Sequence, residues 1–189
     1  MGAIGVERAH VAGVSLGAAV ATHLGARHPE RVRSLSLHSA WDRTDAYLRT
    51  ILELWRTLAG AVATVADAVI GGIFPLCFTP EMYTERPDYA QALADFVRGR
   101  PAQPPEAFMA QSDAVLAHDA GGVLGRIEAP TLVTFGAHDL VTSTRFADPL
   151  TTGIANSELV VFERLSHAGL HEDPDAFNRA TLEFLGRQG

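Results

Sequence analysis

Five residues, Gly13-Val14-Ser15-Leu16-Gly17, constrain this chain more than any others. An apolar run ending Ala9-His10-Val11-Ala12 precedes them, and an Ala-rich run from Ala18 to Ala26 follows. Together they read as a strand, a tight turn carrying a serine, and a helix. A serine in such a turn lifts its hydroxyl above the end of a sheet, with a helix N-terminus beneath it. Two glycines flank it, as expected where the turn is strained and neighbouring backbone passes too close for a side chain. The backbone N–H of Leu16 would point to where an oxyanion forms, helped by the helix dipole. The competing readings are a plain Ser/Gly turn and a phosphate-binding loop. The second lacks the lysine such a loop needs.

At 189 residues with 47% hydrophobic side chains, the chain is long enough for one domain with a sizeable core. Its 15 basic residues are all arginines and are scattered, and the net charge is −7. No basic stripe exists, so nucleic acid and anionic membranes are not expected partners. Cys77 stands alone, which excludes an internal disulfide framework or a cysteine zinc site. No basic region followed by a long apolar stretch opens the sequence, so a cytoplasmic protein is expected. Leu58 to Phe74 is the most apolar segment, but it contains Thr64, Asp67 and several glycines and is short for a membrane span. It reads as a buried or pocket-lining helix.

Three zones follow one another. Residues 1–41 read strand, helix, strand: Ala9–Gly13, Leu16–Arg27, then Val32–His38 after the Pro29 break. Residues 42–124 change character, with Tyr47, Leu48, Ile51, Leu52, Trp55 and Leu58 at helical spacing and prolines cutting the zone into short helices and loops. Residues 125–189 return to alternation, with strands at Thr131–Phe135 and Glu158–Phe162 and a closing helix at Phe177–Leu185. Strands separated by helices predict a parallel sheet of about four strands, with the middle zone as a helical insertion after the second.

A serine hydroxyl needs a base to take its proton, and the base needs a third group to orient it. Both should lie in loops at the carboxyl ends of later strands. After Thr131–Phe135 comes Gly136-Ala137-His138-Asp139, offering Asp139; after Glu158–Phe162 comes Glu163-Arg164-Leu165-Ser166-His167, offering His167. The chain order Ser15, Asp139, His167 fits one known arrangement of such a triad. Asp42, after the second strand, is the rival acid, and His171 the rival base. A His167/His171 metal pair has helical spacing but lacks the glutamate of H-E-x-x-H, so no metal and no cofactor are expected. His38 ends the second strand, where it can border a pocket, and His138 reads as a rim or surface residue.

At these residues the chain resembles the α/β-hydrolase superfamily, in its lactonase, esterase and ring-cleavage branch. The matching pieces are Val11 to Gly17, His28-Pro29-Glu30-Arg31-Val32-Arg33-Ser34-Leu35, Ala129-Pro130-Thr131-Leu132-Val133 leading to Gly136 and Asp139, and His167 followed by Glu172-Asp173-Pro174 and Phe177. Serine at the elbow, rather than aspartate, argues against the haloalkane dehalogenase and epoxide hydrolase branches. The resemblance implies that residues 42–124 form a helical cap. Three departures stand out. The glycine pair usual after the serine reads Gly17-Ala18, and the residue before the histidine is Ser166 where glycine is common. The third is larger: members carry several strands and helices, and a loop donating a second oxyanion N–H, before the elbow strand. Gly2-Ala3-Ile4-Gly5-Val6 reads as the end of the helix preceding that strand. The expected fold is therefore the C-terminal part of an α/β-hydrolase fold.

The function expected is a serine hydrolase of small, apolar esters or lactones. Ser15 would be the nucleophile, His167 the base, Asp139 its orienting acid and Leu16 an oxyanion donor. The pocket would be lined by His38, Trp41, Trp55 and Phe74, with Phe78 and Phe108 as further candidates. Two alternatives share the scaffold: cofactor-free perhydrolysis or C–C bond hydrolysis, and a fragment or binding protein lacking half the oxyanion hole. With no strand beside Ala9–Gly13 on one side, self-association through that edge is also expected.

Overall fold

The computed structural model describes residues 5–188. Two compact units are present: residues 1–43 with 118–189, and residues 44–117.

The first unit is built on a parallel sheet of four strands: β1 (Ala9–Val14), β2 (Val32–His38), β3 (Thr131–Gly136) and β4 (Ser157–Phe162), in that spatial order. The registers pair Val14 with His38, His38 with Thr134, and Gly136 with Phe162, so all four carboxyl ends finish together. Every residue of β3 is buried, as is all of β2 except Arg33, as expected for central strands covered on both faces. β1 and β4 lie at the two edges and are only partly covered.

Helix α1 (Leu16–Arg27) returns the chain from β1 to the start of β2. Its buried stripe is small, Ala18, Ala19, Ala21, Thr22, Gly25 and Ala26, because it lies close on the sheet. A Cβ on Gly25 would sit 2.6 Å from Leu35 Cδ1. The buried Thr22 hydroxyl is satisfied by the Ala18 carbonyl at 2.8 Å. Helix α8 (Ala147–Gly153) joins β3 to β4, and after β4 come the short α9 (Gly169–Glu172) and the closing α10 (Pro174–Gly186). Asp173 caps α10 by accepting from Ala176 N at 2.9 Å. Gly2–Ile4 lie outside the described residues. Gly5 sits in a turn at φ 69 and Val6 in irregular chain, so neither extends a helix toward β1.

The second unit is helical: α2 (Ala46–Ala61), α3 (Val65–Ala68), α4 (Phe74–Cys77), α5 (Pro80–Glu85), α6 (Pro87–Gly99) and α7 (Pro105–Leu116). Asp45 caps α2 by accepting from Leu48 N at 2.7 Å. The stripe Leu48, Ile51, Leu52, Trp55 and Ala59 is buried. Arg56 ties α2 to α7 through the Met109 carbonyl at 3.2 Å and Asp113. Leu58 to Phe74 is not the single buried helix that its composition predicts. Helix α2 stops at Ala61, Thr64 opens a new cap on Asp67 N, and residues Val69–Ile73 widen into a π turn containing Gly71 and Gly72. Glycine entropy and a competing threonine cap interrupt the helix here. Among the described residues, no helix is long and apolar enough to cross a membrane.

Candidate active site

Ser15 occupies the turn between β1 and α1 at φ 52 and ψ −120. A non-glycine residue held there costs about 1–3 kcal/mol and persists only where its surroundings enforce it. The enforcement is visible. Ser15 N donates to the His38 carbonyl of β2 at 2.9 Å, and the Ser15 carbonyl accepts from Ala18 N and Ala19 N at 2.8 and 3.1 Å. The serine side chain makes no capping bond to α1, so its hydroxyl is not committed to holding the helix. Leu16 begins the helix, where the first amides have no acceptor within the helix itself.

The two flanking glycines are not equivalent. A Cβ on Gly13 would fall 2.2 Å from Gly17 O and 2.6 Å from Ala18 N, so only glycine lets β1 pass beneath the start of α1. A Cβ on Gly17 would meet nothing within 4 Å. The expectation that close backbone demands both glycines is corrected for Gly17: its outward side is open, and the crowding falls wholly on the strand side.

Asp139 and His167 meet at the same ends of the strands. His167 Nδ1 lies 2.9 Å from Asp139 Oδ2, and both side chains are buried. The other carboxylate oxygen accepts from Val141 N at 2.7 Å and Thr142 N at 2.9 Å. Burial pushes the Asp139 carboxyl up, but the hydrogen bond and charge of His167, with the two amides, outweigh this and hold it below the usual carboxylate range. The loops carrying the pair are locked together. His138 N donates to the Leu165 carbonyl at 2.9 Å, and Ser166 Oγ to the His138 carbonyl at 3.1 Å. Gly136 makes this possible, since a Cβ there would lie 2.3 Å from Leu165 O. Glu172 accepts from Ser166 N at 2.6 Å and fixes the loop from its far side.

The end of β2 links this pair to the serine turn. The His38 carbonyl holds Ser15 N, while Ser39 Oγ donates to the His167 carbonyl at 3.3 Å. The hydroxyl of Thr142 is 2.9 Å from the Ser39 carbonyl. Ser39 and Thr142 carry no sequence motif by themselves. The local signal for Thr142 is its spacing: an aspartate can fold back to accept from the amides two and three residues after it, here Val141 and Thr142.

The rival acid Asp42 is buried and paired with Arg43 Nε at 3.0 Å, and its carbonyl accepts from Ala120 N. The rival base His171 lies on α9, and burial lowers its pKa. His38 is 3% exposed, with Nδ1 2.8 Å from Thr134 Oγ1 and its ring 4.4 Å from that of Phe177. Burial pushes its pKa down to about 4. Trp41 is 1% exposed and packs edge-on against His118 within the first unit. Trp55 and Phe74 belong to the helical unit, where Trp55 is buried and donates to the Gly72 carbonyl at 3.2 Å, and Phe74 is half-buried against Phe78. His138 is exposed.

With that geometry in hand, comparison with known proteins places the chain. Residues 1–174 match the alpha/beta hydrolase fold family. RutD of Variovorax paradoxus (strain S110), named as a candidate carbamate hydrolase, is 31% identical over 98% of this chain and 68% of its own length. A pimeloyl-acyl-carrier-protein methyl ester esterase of Neisseria meningitidis (serogroup C) is 29% identical over 94% of this chain and 69% of its own. The crystal structure of the enol-lactonase from Burkholderia xenovorans LB400 superposes with a TM-score of 0.85 at 24% identity, over 98% of this chain and 68% of that one. The chain thus spans about two thirds of these relatives' length. It belongs to the alpha/beta hydrolase fold family and is an enzyme of that class.

Proposed function

We propose that this enzyme hydrolyses small carboxylic esters or lactones through Ser15, His167 and Asp139. The observation that carries the reading is the buried 2.9 Å contact between His167 and Asp139, at the strand ends where Ser15 is held strained between β1 and α1. In the proposed reaction His167 Nε2 takes the Ser15 hydroxyl proton as Oγ attacks the acyl carbon. Asp139 keeps the Nδ1 proton in place and stabilises the imidazolium that forms. The Leu16 amide donates to the oxyanion, helped by the α1 dipole. His167 then protonates the leaving alkoxide, and water deprotonated by the same imidazole releases the acid from the acyl-enzyme. Relatives named for a methyl ester and an enol lactone support an acyl–oxygen bond as the target.

The rest of the reading is coarser. Residues 42–124 would serve as a helical cap. The enzyme would act in the cytoplasm. The test is turnover of short-chain p-nitrophenyl esters and small aliphatic lactones by wild type, Ser15→Ala and His167→Ala. Hydrolysis by wild type and its loss in both variants is expected; hydrolysis that survives either substitution contradicts the reading.

A further inference from the structure

Two buried residues beside the site, Ser39 and Thr142, are committed to it through more bonds than packing requires. Ser39 stands at φ 50, in the left-handed region that serine rarely adopts. In that conformation all its polar groups are used around the site. Its N–H donates to the Thr134 carbonyl at 2.8 Å, its hydroxyl to the His167 carbonyl at 3.3 Å, and its carbonyl accepts from Thr142 Oγ1 at 2.9 Å. Thr142 Oγ1 also lies 3.2 Å from Asp139 Oδ2 and 3.3 Å from His167 Nδ1.

The threonine hydroxyl has one proton. Both the Ser39 carbonyl and Asp139 Oδ2 can only accept it; the carbonyl is the nearer, at 2.9 Å against 3.2 Å, so the proton goes there and a lone pair is left facing His167 Nδ1. The oxygen then stands beside the point where His167 Nδ1–H meets Asp139 Oδ2. A ring held by one acceptor can rock about that single N–H···O axis; a second oxygen beside the first limits the rocking.

We propose that Thr142 is a positioning residue: aimed by the Ser39 carbonyl, its hydroxyl oxygen shares the Nδ1–H of His167 with Asp139 and fixes the imidazole toward the Ser15 turn. This rests on the serine-hydrolase reading above. Three titratable groups surround the imidazole and its loop: Asp139 on Nδ1, Glu172 on the Ser166 amide, and His38 beside Ser39. None is altered by the variants that test the proposal.

Thr142→Val removes the hydroxyl at nearly constant shape, and Thr142→Ser keeps it while removing the methyl. Both are assayed for kcat and KM on p-nitrophenyl acetate beside wild type and Ser15→Ala. Loss of an orienting hydrogen bond predicts a fall of roughly five- to twentyfold in kcat for the valine variant, with KM within about twofold of wild type. The serine variant should keep wild-type kcat within about twofold. Wild-type kcat in the valine variant, a loss confined to KM, or an equal loss in the serine variant would each overturn the proposal. Should Thr142→Val not fold, Thr142→Ala is read in its place, and the serine variant alone still decides against a role for the hydroxyl. An active Ser15→Ala overturns the triad reading and this proposal together, whereas an inactive one with an unaffected Thr142→Val overturns this proposal alone.

Discussion

Substituting each glycine of Gly13-Val14-Ser15-Leu16-Gly17 by alanine should give opposite results. At Gly13 the new Cβ lies 2.2 Å from Gly17 O, 2.3 Å from Gly17 C and 2.6 Å from Ala18 N, all main-chain atoms. A flexible side chain could swing away from such a contact. Here β1 and the first turn of α1 must separate by roughly an ångström, against the bonds from Ser15 N to His38 O and from Ala18 N to Ser15 O. Overpacking of a well-filled site typically costs about 1–3 kcal/mol, and a backbone-to-backbone clash belongs at or beyond the top of that range. For a chain of this length Tm should fall by roughly 6–12 °C. At Gly17 the Cβ meets nothing within 4 Å, and the residue is in the first turn of α1. Alanine there gains helix propensity of about 0.5–1 kcal/mol, raising Tm by roughly 1–4 °C. Thermal unfolding followed by circular dichroism reads both values. The two variants melting within about a degree of each other would refute the reasoning, because it would mean that the β1–α1 crossing has slack that the distances deny.

Other outcomes follow from the same site. His38 has a pKa near 4 in the folded chain, below its ordinary value, so the unfolded chain binds more protons between pH 6.5 and 4. Its contribution is therefore fully present above about pH 6.5 and declines as pH falls toward 4, by roughly 3 kcal/mol, with the buried His118 and the half-buried His23 and His171 acting in the same direction. Urea unfolding at pH 7 and pH 5 measures this, and His38→Gln should reduce the difference; an unchanged pH dependence in that variant contradicts it. Asp139→Asn keeps an oxygen for the Val141 and Thr142 amides but turns a donor toward His167 Nδ1, so the fold should persist while esterase kcat falls by about ten-thousandfold. A loss of less than about tenfold with an intact circular dichroism spectrum would remove Asp139 from the proposed triad.

The elements legible in the sequence were those with strong local signals. Ala9 to Arg27 reads directly as strand, turn and helix, because the apolar run, the small residues and the alanines each favour one state. The strands β2 and β3 are equally plain, β2 starting after the Pro29 break and β3 an apolar run directly behind Pro130. The positions of Asp139 and His167 were legible as well, since a parallel sheet puts every loop after a strand at one end. Other features were decided by contacts that no local pattern encodes. Leu58 to Phe74 has the composition of one helix, yet the Thr64 cap and the paired glycines divide it. Gly13 and Gly17 look symmetric about Ser15, but only one faces backbone. Ser39 and Thr142 are 103 residues apart, and nothing in either neighbourhood announces that they bond. Trp41 reads as a pocket aromatic because it is large and follows a strand, while its surroundings bury it beside His118.

The central claim is that Ser15 is an activated nucleophile, and covalent labelling tests it most directly. Wild type and Ser15→Ala are incubated with a fluorophosphonate probe, and intact mass with peptide mapping locates the adduct. The account predicts a single phosphonylation of wild type at Ser15, slowed in His167→Ala and absent from Ser15→Ala. Equal labelling of wild type and Ser15→Ala, or an unlabelled but folded wild type, would contradict it.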